Sequence, residues 1–158
     1  MFEPIRFRVF GKPQPGGSKS SFVPTNKKTG QPYRGAAGRI IVNTVDSNPN
    51  VKDWKKTVCV AAKQAYSGAP LQGALVLKIC FYVERPKFHY GSGKNSEKLK
   101  DSAPLFPTTK PDCTKLTRGT EDALIGVIYV DDSQVVNQHI YKRYGNPGAE
   151  IEISEATV

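Results

Sequence analysis

Asp112, Lys115, Arg118 and Asp122 recur at helical spacing, and Asp131 and Asp132 follow within ten residues. At 100° per residue the first four fall within about 120° of arc, a single polar stripe. Asp131-Asp132 would then bring two more carboxylates back beside that stripe. Clustered carboxylates repel and raise one another's pKa unless a cation sits among them. An all-oxygen donor set suits Mg²⁺ or Mn²⁺. In phosphodiester hydrolysis such an ion activates water and stabilises the leaving oxygen. Arg118 or Lys115 would neutralise charge on the reacting phosphate. Each acid also has a plainer reading. Asp112 suits a helix N-cap. Asp122 suits an i,i+4 partner for Arg118. Asp131-Asp132-Ser133 suits a turn.

The stripe needs a helix over about 114–125, stopped by Gly126, with Leu116, Thr120, Ala123 and Leu124 facing a core. VIYV (127–130) reads as a short strand and Gln134–Tyr144 as a longer one. Gly145-Asn146-Pro147-Gly148 then suggests a hairpin returning along Ala149–Ser154. Upstream, Ile5, Phe7 and Val9 alternate with Arg6 and Arg8, a strand with one wet face. Arg39–Val45 suggests a short strand. Asn48-Pro49-Asn50 opens a helix carrying Val51, Trp54, Val58, Ala61, Ala62 and Ala65 on one side, closed by Gly68 and Pro70. GALVLKICFYVE (73–84) is apolar on both faces and predicts a central strand covered on both sides. Together these predict an α+β fold. It is one domain over 1–158: a mixed β-sheet packed with two main helices, and long basic loops at about 11–38 and 85–111.

The 158 residues are 38% hydrophobic, enough for a core without disulfide or metal staples. Cys59, Cys80 and Cys113 are odd in number and far apart, which suits a reducing compartment. No stretch is apolar enough for a membrane span, and the first strand lacks a signal peptide's apolar block, so a cytoplasmic location is expected. Gly11–Lys19 lacks phosphate-loop spacing. Ser18 has no triad partners. His139 reads as a structural or surface residue.

The net charge of +9 is unevenly spread. Residues 1–110 hold 19 of the 23 Lys/Arg but only 6 of the 14 Asp/Glu. A basic first part points to a polyanionic partner, and a compact acidic segment follows it. The basic loops interleave cations with rings: Lys19, Phe22, Lys27, Lys28, Tyr33 and Arg34 in the first, and Arg85, Lys87, Phe88, His89, Tyr90 and Lys94 in the second. Lys19, Lys87 and Lys94 are candidate DNA-backbone contacts, and His89 is a further phosphate candidate. The rings would stack on exposed bases.

Lys110-Pro111-Asp112-Cys113-Thr114-Lys115-Leu116, Arg118, Asp122-Ala123-Leu124, Gly126 and Asp131-Asp132-Ser133-Gln134-Val135-Val136 resemble the core of RusA-type Holliday junction resolvases. Gly11-Lys12-Pro13, Gly17-Ser18-Lys19, Trp54 and Arg85-Pro86-Lys87 resemble the phage and prophage branch more loosely. The resemblance implies a small homodimeric α+β endonuclease of DNA recombination and repair. It would use Mg²⁺, with Mn²⁺ as substitute, to nick two opposed strands of a four-way junction, and would need no small-molecule cofactor. It implies metal binding by Asp112 and Asp132, supported by Asp131 and Asp122, and catalytic roles for Asp112, Asp132, Arg118 and Lys115. Arg118 stands where the family has a lysine. Thr114 stands where it has a second aspartate, and a neutral hydroxyl is the weaker Mg²⁺ ligand. The alternative is therefore a branched-DNA binding protein with weak or no cleavage.

Overall fold

A computed structural model describes residues 2–157 and shows six strands in two sheets with two α-helices. The main sheet has the order β1 (Ile5–Phe10), β6 (Gly148–Glu155), β4 (Leu75–Val83), β5 (Val135–Tyr144). β6 runs antiparallel to both β1 and β4, whereas β5 runs parallel to β4. α1 (Val51–Ala65) and α2 (Cys113–Glu121) lie on one face of this sheet.

β4 is the organising strand. Leu75, Leu77, Ile79 and Phe81 are fully buried beneath the helices, together with Val58 and Ala62 of α1, Leu116 of α2, and Ile151 and Ile153 of β6. The expected central placement is observed, but the expected cover on both faces is not. Lys78 is exposed and Val76, Cys80 and Tyr82 are half-buried on the far face. There Arg6 pairs with Glu152 and Arg8 with Glu150, each at 2.6 Å, and Tyr82 donates to Glu150. Charged partners on the flanking strands make a wet face tolerable for Cys80 and Tyr82.

Two further expectations fail for non-local reasons. β5 and β6 do not form a hairpin, because both pair with β4 and sit on opposite sides of it. The chain crosses the end of β4 at Gly145, whose N–H donates to the Val83 carbonyl. A Cβ there would stand 2.8 Å from the Tyr82 ring. VIYV is turn rather than strand, touching Leu71 through one isolated bridge at Tyr129. It still buries Ile128 and Tyr129 completely. α2 stops at Glu121, four residues short of the expected end, and Leu124 reaches the core from the turn that follows.

The first basic loop is not irregular throughout. Lys19–Phe22 (β2) pairs antiparallel with Asn43–Asp46 (β3), forming a separate two-stranded ribbon. Composition hid β2 because neither of its faces is apolar. The second basic loop folds on itself through tight turns at Lys87–His89 and Gly93–Asn95.

Candidate active site

α2 carries the chemistry, and its mounting is specific. Asp112 caps its N-terminus, with Oδ1 accepting the Lys115 N–H at 2.9 Å. Trp54 of α1 donates its indole N–H to the Thr120 hydroxyl at 3.0 Å, and that hydroxyl donates to the Leu116 carbonyl. Both are buried, so this polar bridge fixes how α2 is rotated against α1. Lys142 of β5 donates to the carbonyls of Thr109 and Pro111, both at 2.8 Å. It thereby holds the segment that delivers Asp112.

The other side of α2 is packed by backbone. Gly16 donates its N–H to the Lys115 carbonyl at 2.8 Å. A Cβ on Gly119 would collide with the Gln14 carbonyl oxygen, and one on Gly16 would stand 2.8 Å from the Gly119 Cα. One on Gly17 would stand 2.7 Å from Cδ of Arg118. Arg118 therefore lies along residue 17, exposed, and among the described residues no carboxylate pairs with its guanidinium.

A concavity of about 360 Å³ opens beside Asp112, and Lys12, Lys110, Lys115, Ser18, Gln14 and Asn48 line it. Its wall continues through Lys12, Pro13, Lys110 and Pro111 into a cleft of about 760 Å³ that reaches Lys142 and Tyr144. That cleft shares Glu84, Tyr144, Asn146 and Pro147 with a third hollow, of about 770 Å³, flanked by Arg85 and Lys87. The result is a trough whose charged lining residues are mainly cations, with Asp112 and Glu84 as its carboxylates.

The acids divide between the two ends of α2. Asp112 is at the N-terminal end. At the other end, half-buried Glu121 is the residue the sequence reading passed over. Burial pushes its carboxyl above the usual glutamate range, and the nearby negative charges of Asp132 and Asp122 push it further. The Gln138 amide, which donates to Glu121 at 2.8 Å, pulls the other way. Its signal was available: on a helix, position 121 lies within about 20° of 114 and 60° of 118. Asp122 closes α2 and pairs with Lys55 at 2.7 Å, not with Arg118. Hydrogen bonds from the Ser133 side chain and, at 2.9 Å, from the Ser133 N–H hold the Asp131 carboxyl below the usual range. Gln134 completes this capping box: its Oε1 accepts from the N–H groups of Val130 and Asp131. Its Nε2 donates to the Leu71 and Gly73 carbonyls, pinning the acidic turn beside the start of β4. Asp132 is exposed.

α2 spans nine residues, roughly 13 Å at 1.5 Å per residue. Among the described residues no group of three or more His, Cys, Asp or Glu side chains is gathered to hold a metal. The donor types suit a hard divalent cation. Thr114, exposed in the first turn, offers a hydroxyl where a carboxylate would complete the Asp112 end.

The DNA-contact candidates separate too. Lys87 lines the trough and Lys94 is exposed nearby. Lys19 pairs with Asp46 at 2.6 Å. His89 is buried at 8% exposure, edge-on to Phe88 and Tyr144, and supports its loop from beneath. Lys12, Lys110 and Lys142 were not among the DNA-contact candidates from sequence, because only the fold brings residues from 12, 110 and 142 to one trough.

Glu121 gives a pH prediction. Its folded pKa is raised, so the native state holds the proton more tightly than the unfolded chain. Stability is lost as pH rises from the ordinary glutamate value through the raised one. In EDTA, Glu121→Gln is expected to melt higher than wild type at pH 7, with the advantage gone near pH 4. A constant difference across that range would contradict it.

The family model described as endodeoxyribonuclease RusA matches residues 23–154. A protein of Bacillus subtilis (strain 168), described as uncharacterized protein YqaN, is 30% identical over 154 residues, 97% of each chain. The chain belongs to the RusA endodeoxyribonuclease family, whose nucleases depend in general on divalent metal.

Proposed function

From RusA-family membership as the premise, we propose that this chain is a Mg²⁺-dependent endonuclease that resolves four-way DNA junctions by paired symmetric nicks, acting as a homodimer. The observation that carries it is the lysine-ringed concavity beside Asp112, on the helix that also presents an unpaired Arg118. Lys12, Lys110 and Lys115 would seat the phosphate backbone. Arg118 would meet the charge that builds on the cut phosphate. Asp112 at one end of α2, and Asp132 with Asp131 and Asp122 in support at the other, would each offer carboxylate oxygens to Mg²⁺ or Mn²⁺, which would supply a more acidic water and Lewis-acid stabilisation. Gln134 and Lys142 would position the two acidic segments. Two-fold pairing would set two identical sites on two equivalent strands.

Thr114 favours one rival: a branched-DNA binding protein with weak or no cleavage. The test is a labelled synthetic four-way junction, incubated with wild type and Thr114→Asp in Mg²⁺ and then Mn²⁺. Wild type is expected to make paired nicks and to leave linear duplex intact. Thr114→Asp adds a carboxylate in the first turn, where the helix dipole favours it. It is expected to lower the Mg²⁺ needed for half-maximal rate by about tenfold, the reach of one ligand-shell change. Tight binding without nicks from wild type in either metal would establish the binding protein and overturn the nuclease.

A further inference from the structure

The β2–β3 ribbon and its connection, residues 19–46, form an arm with no buried residue. It is ordered by its own bonds. Asn26 N–H donates to Gln31, Tyr33 N–H to Pro24, Ile41 N–H to Tyr33 and Gly35 N–H to Arg39, all to carbonyl oxygens at 2.8–3.0 Å. Both roots are fixed. The chain enters over α2 at Gly16 and Gly17, and leaves through Asn48, whose amide donates to Gln14 and Pro15, into α1. The root of the arm therefore packs against the helix that carries Arg118.

Its surface joins two properties. It holds five cations and the single carboxylate Asp46, which Lys19 already neutralises. Among the described residues none of Lys27, Lys28, Arg34 and Arg39 is ion-paired. Large apolar side chains also stand in solvent: Phe22, Tyr33, Ile40 and Val42 are 48–58% exposed. Two copies of such an arm would repel each other. A polyanion with apolar groove walls complements both properties, and a two-stranded ribbon fits the DNA major groove.

We infer that this arm is a second DNA-binding element. It would grip duplex DNA next to the cut strand through Lys27, Lys28 and Arg39 on phosphates and Ile40 and Val42 on sugars and base edges. The inference rests on the nuclease reading and names what holds the substrate beside its site. The arm positions DNA and touches no reacting atom.

Three proteins test it: wild type, Lys27→Ala/Lys28→Ala/Arg39→Ala, and Ile40→Ser/Val42→Ser. Binding to a labelled four-way junction is measured by anisotropy in EDTA across salt. Cleavage is followed at saturating DNA, and mass by sedimentation. The triple variant is expected to bind roughly 10- to 100-fold more weakly, with a salt slope smaller by about 2–3, one phosphate contact per cation. Its cleavage rate at saturating DNA should stay within about threefold of wild type, since no catalytic group is changed. The Ile40/Val42 variant should also bind more weakly, with unchanged mass. Unchanged affinity and salt slope in the triple variant, with wild type binding normally, would overturn the arm alone. A loss of mass in the Ile40/Val42 variant without loss of DNA affinity would make the arm a contact between copies and overturn it too. Wild type that binds no junction would remove the nuclease reading and this one together.

Discussion

Asp112→Asn is expected to lower junction cleavage by about 10³-fold while leaving junction binding in EDTA unchanged. The figure is the rate equivalent of roughly 4 kcal/mol, the several kcal/mol that a catalytic metal supplies. The substitution is clean for a structural reason. Asp112 caps α2 by accepting the Lys115 N–H, and Asn caps helices as well as Asp does. The charge is lost and the helix keeps its cap. Asp112→Ala should lose cleavage equally and about 1 kcal/mol of stability as well. Asp132→Asn is the companion. Asp132 lies toward the Glu121 end of α2 and raises that carboxyl, so its removal relieves repulsion in the apo protein. Asp132→Asn is likewise expected to lower nicking. Single-turnover cleavage and thermal melts on the same samples read the two effects apart. Cleavage that survives Asp112→Asn at full rate would exclude Asp112 as a ligand.

Trp54→Ala is expected to cost about 3–5 kcal/mol of folding stability, the usual range for a buried Trp truncation. Trp54 is 4% exposed within the core and bonds Thr120 across the α1–α2 contact. Its loss leaves a cavity and removes the bond that sets the rotation of α2. Trp54→Phe keeps most of the volume and should cost less. It should still lower cleavage at saturating DNA, because Arg118 is two residues from the lost contact. Urea denaturation of wild type and both variants checks the stability order. Equal stability of all three would show that the bridge carries no weight.

Much of this fold was legible because its core is written in short-range periodicity. Val51, Trp54, Val58 and Ala62 are the buried side of α1. Leu75, Leu77, Ile79 and Phe81 are the buried side of β4. Both patterns can be read from neighbours in sequence. What could not be read that way is partner choice. Gly145–Gly148 has the composition of a hairpin, yet β6 finds its bonds on β4 and β1, more than sixty residues away in either case. β3 falls partly within the strand expected over Arg39–Val45, but β2 escaped for a different reason. A ribbon exposed on both sides leaves no alternating pattern, so its Gly, Pro and Lys content looked like plain loop.

The site was legible in its residue types more than in their grouping. Asp112 and Arg118 stand on α2 as the stripe required. Asp122 turned instead to Lys55, a partner on a different helix. Glu121 took the inward place beside Asp132, since α2 is rolled by Trp54 and Thr120 rather than by its own charge pattern. The lysine trough assembles residues from near positions 12, 110 and 142, and only packing could disclose it.

The strand order β1-β6-β4-β5 also bears on synthesis. β1 is the first strand made and β6 the last, and β1 reaches β4 only through β6. Until residues 148–155 have left the ribosome, β1 and β4 each carry an unfilled edge, and neither can pair with the other in the native register. The nascent chain can assemble α1 against β4 early, but the sheet closes in a single late insertion. Long-range closure of this kind is slow and leaves strand edges open to wrong partners. A stop codon or a bulky fusion placed before Glu155 would therefore act on the middle of the sheet.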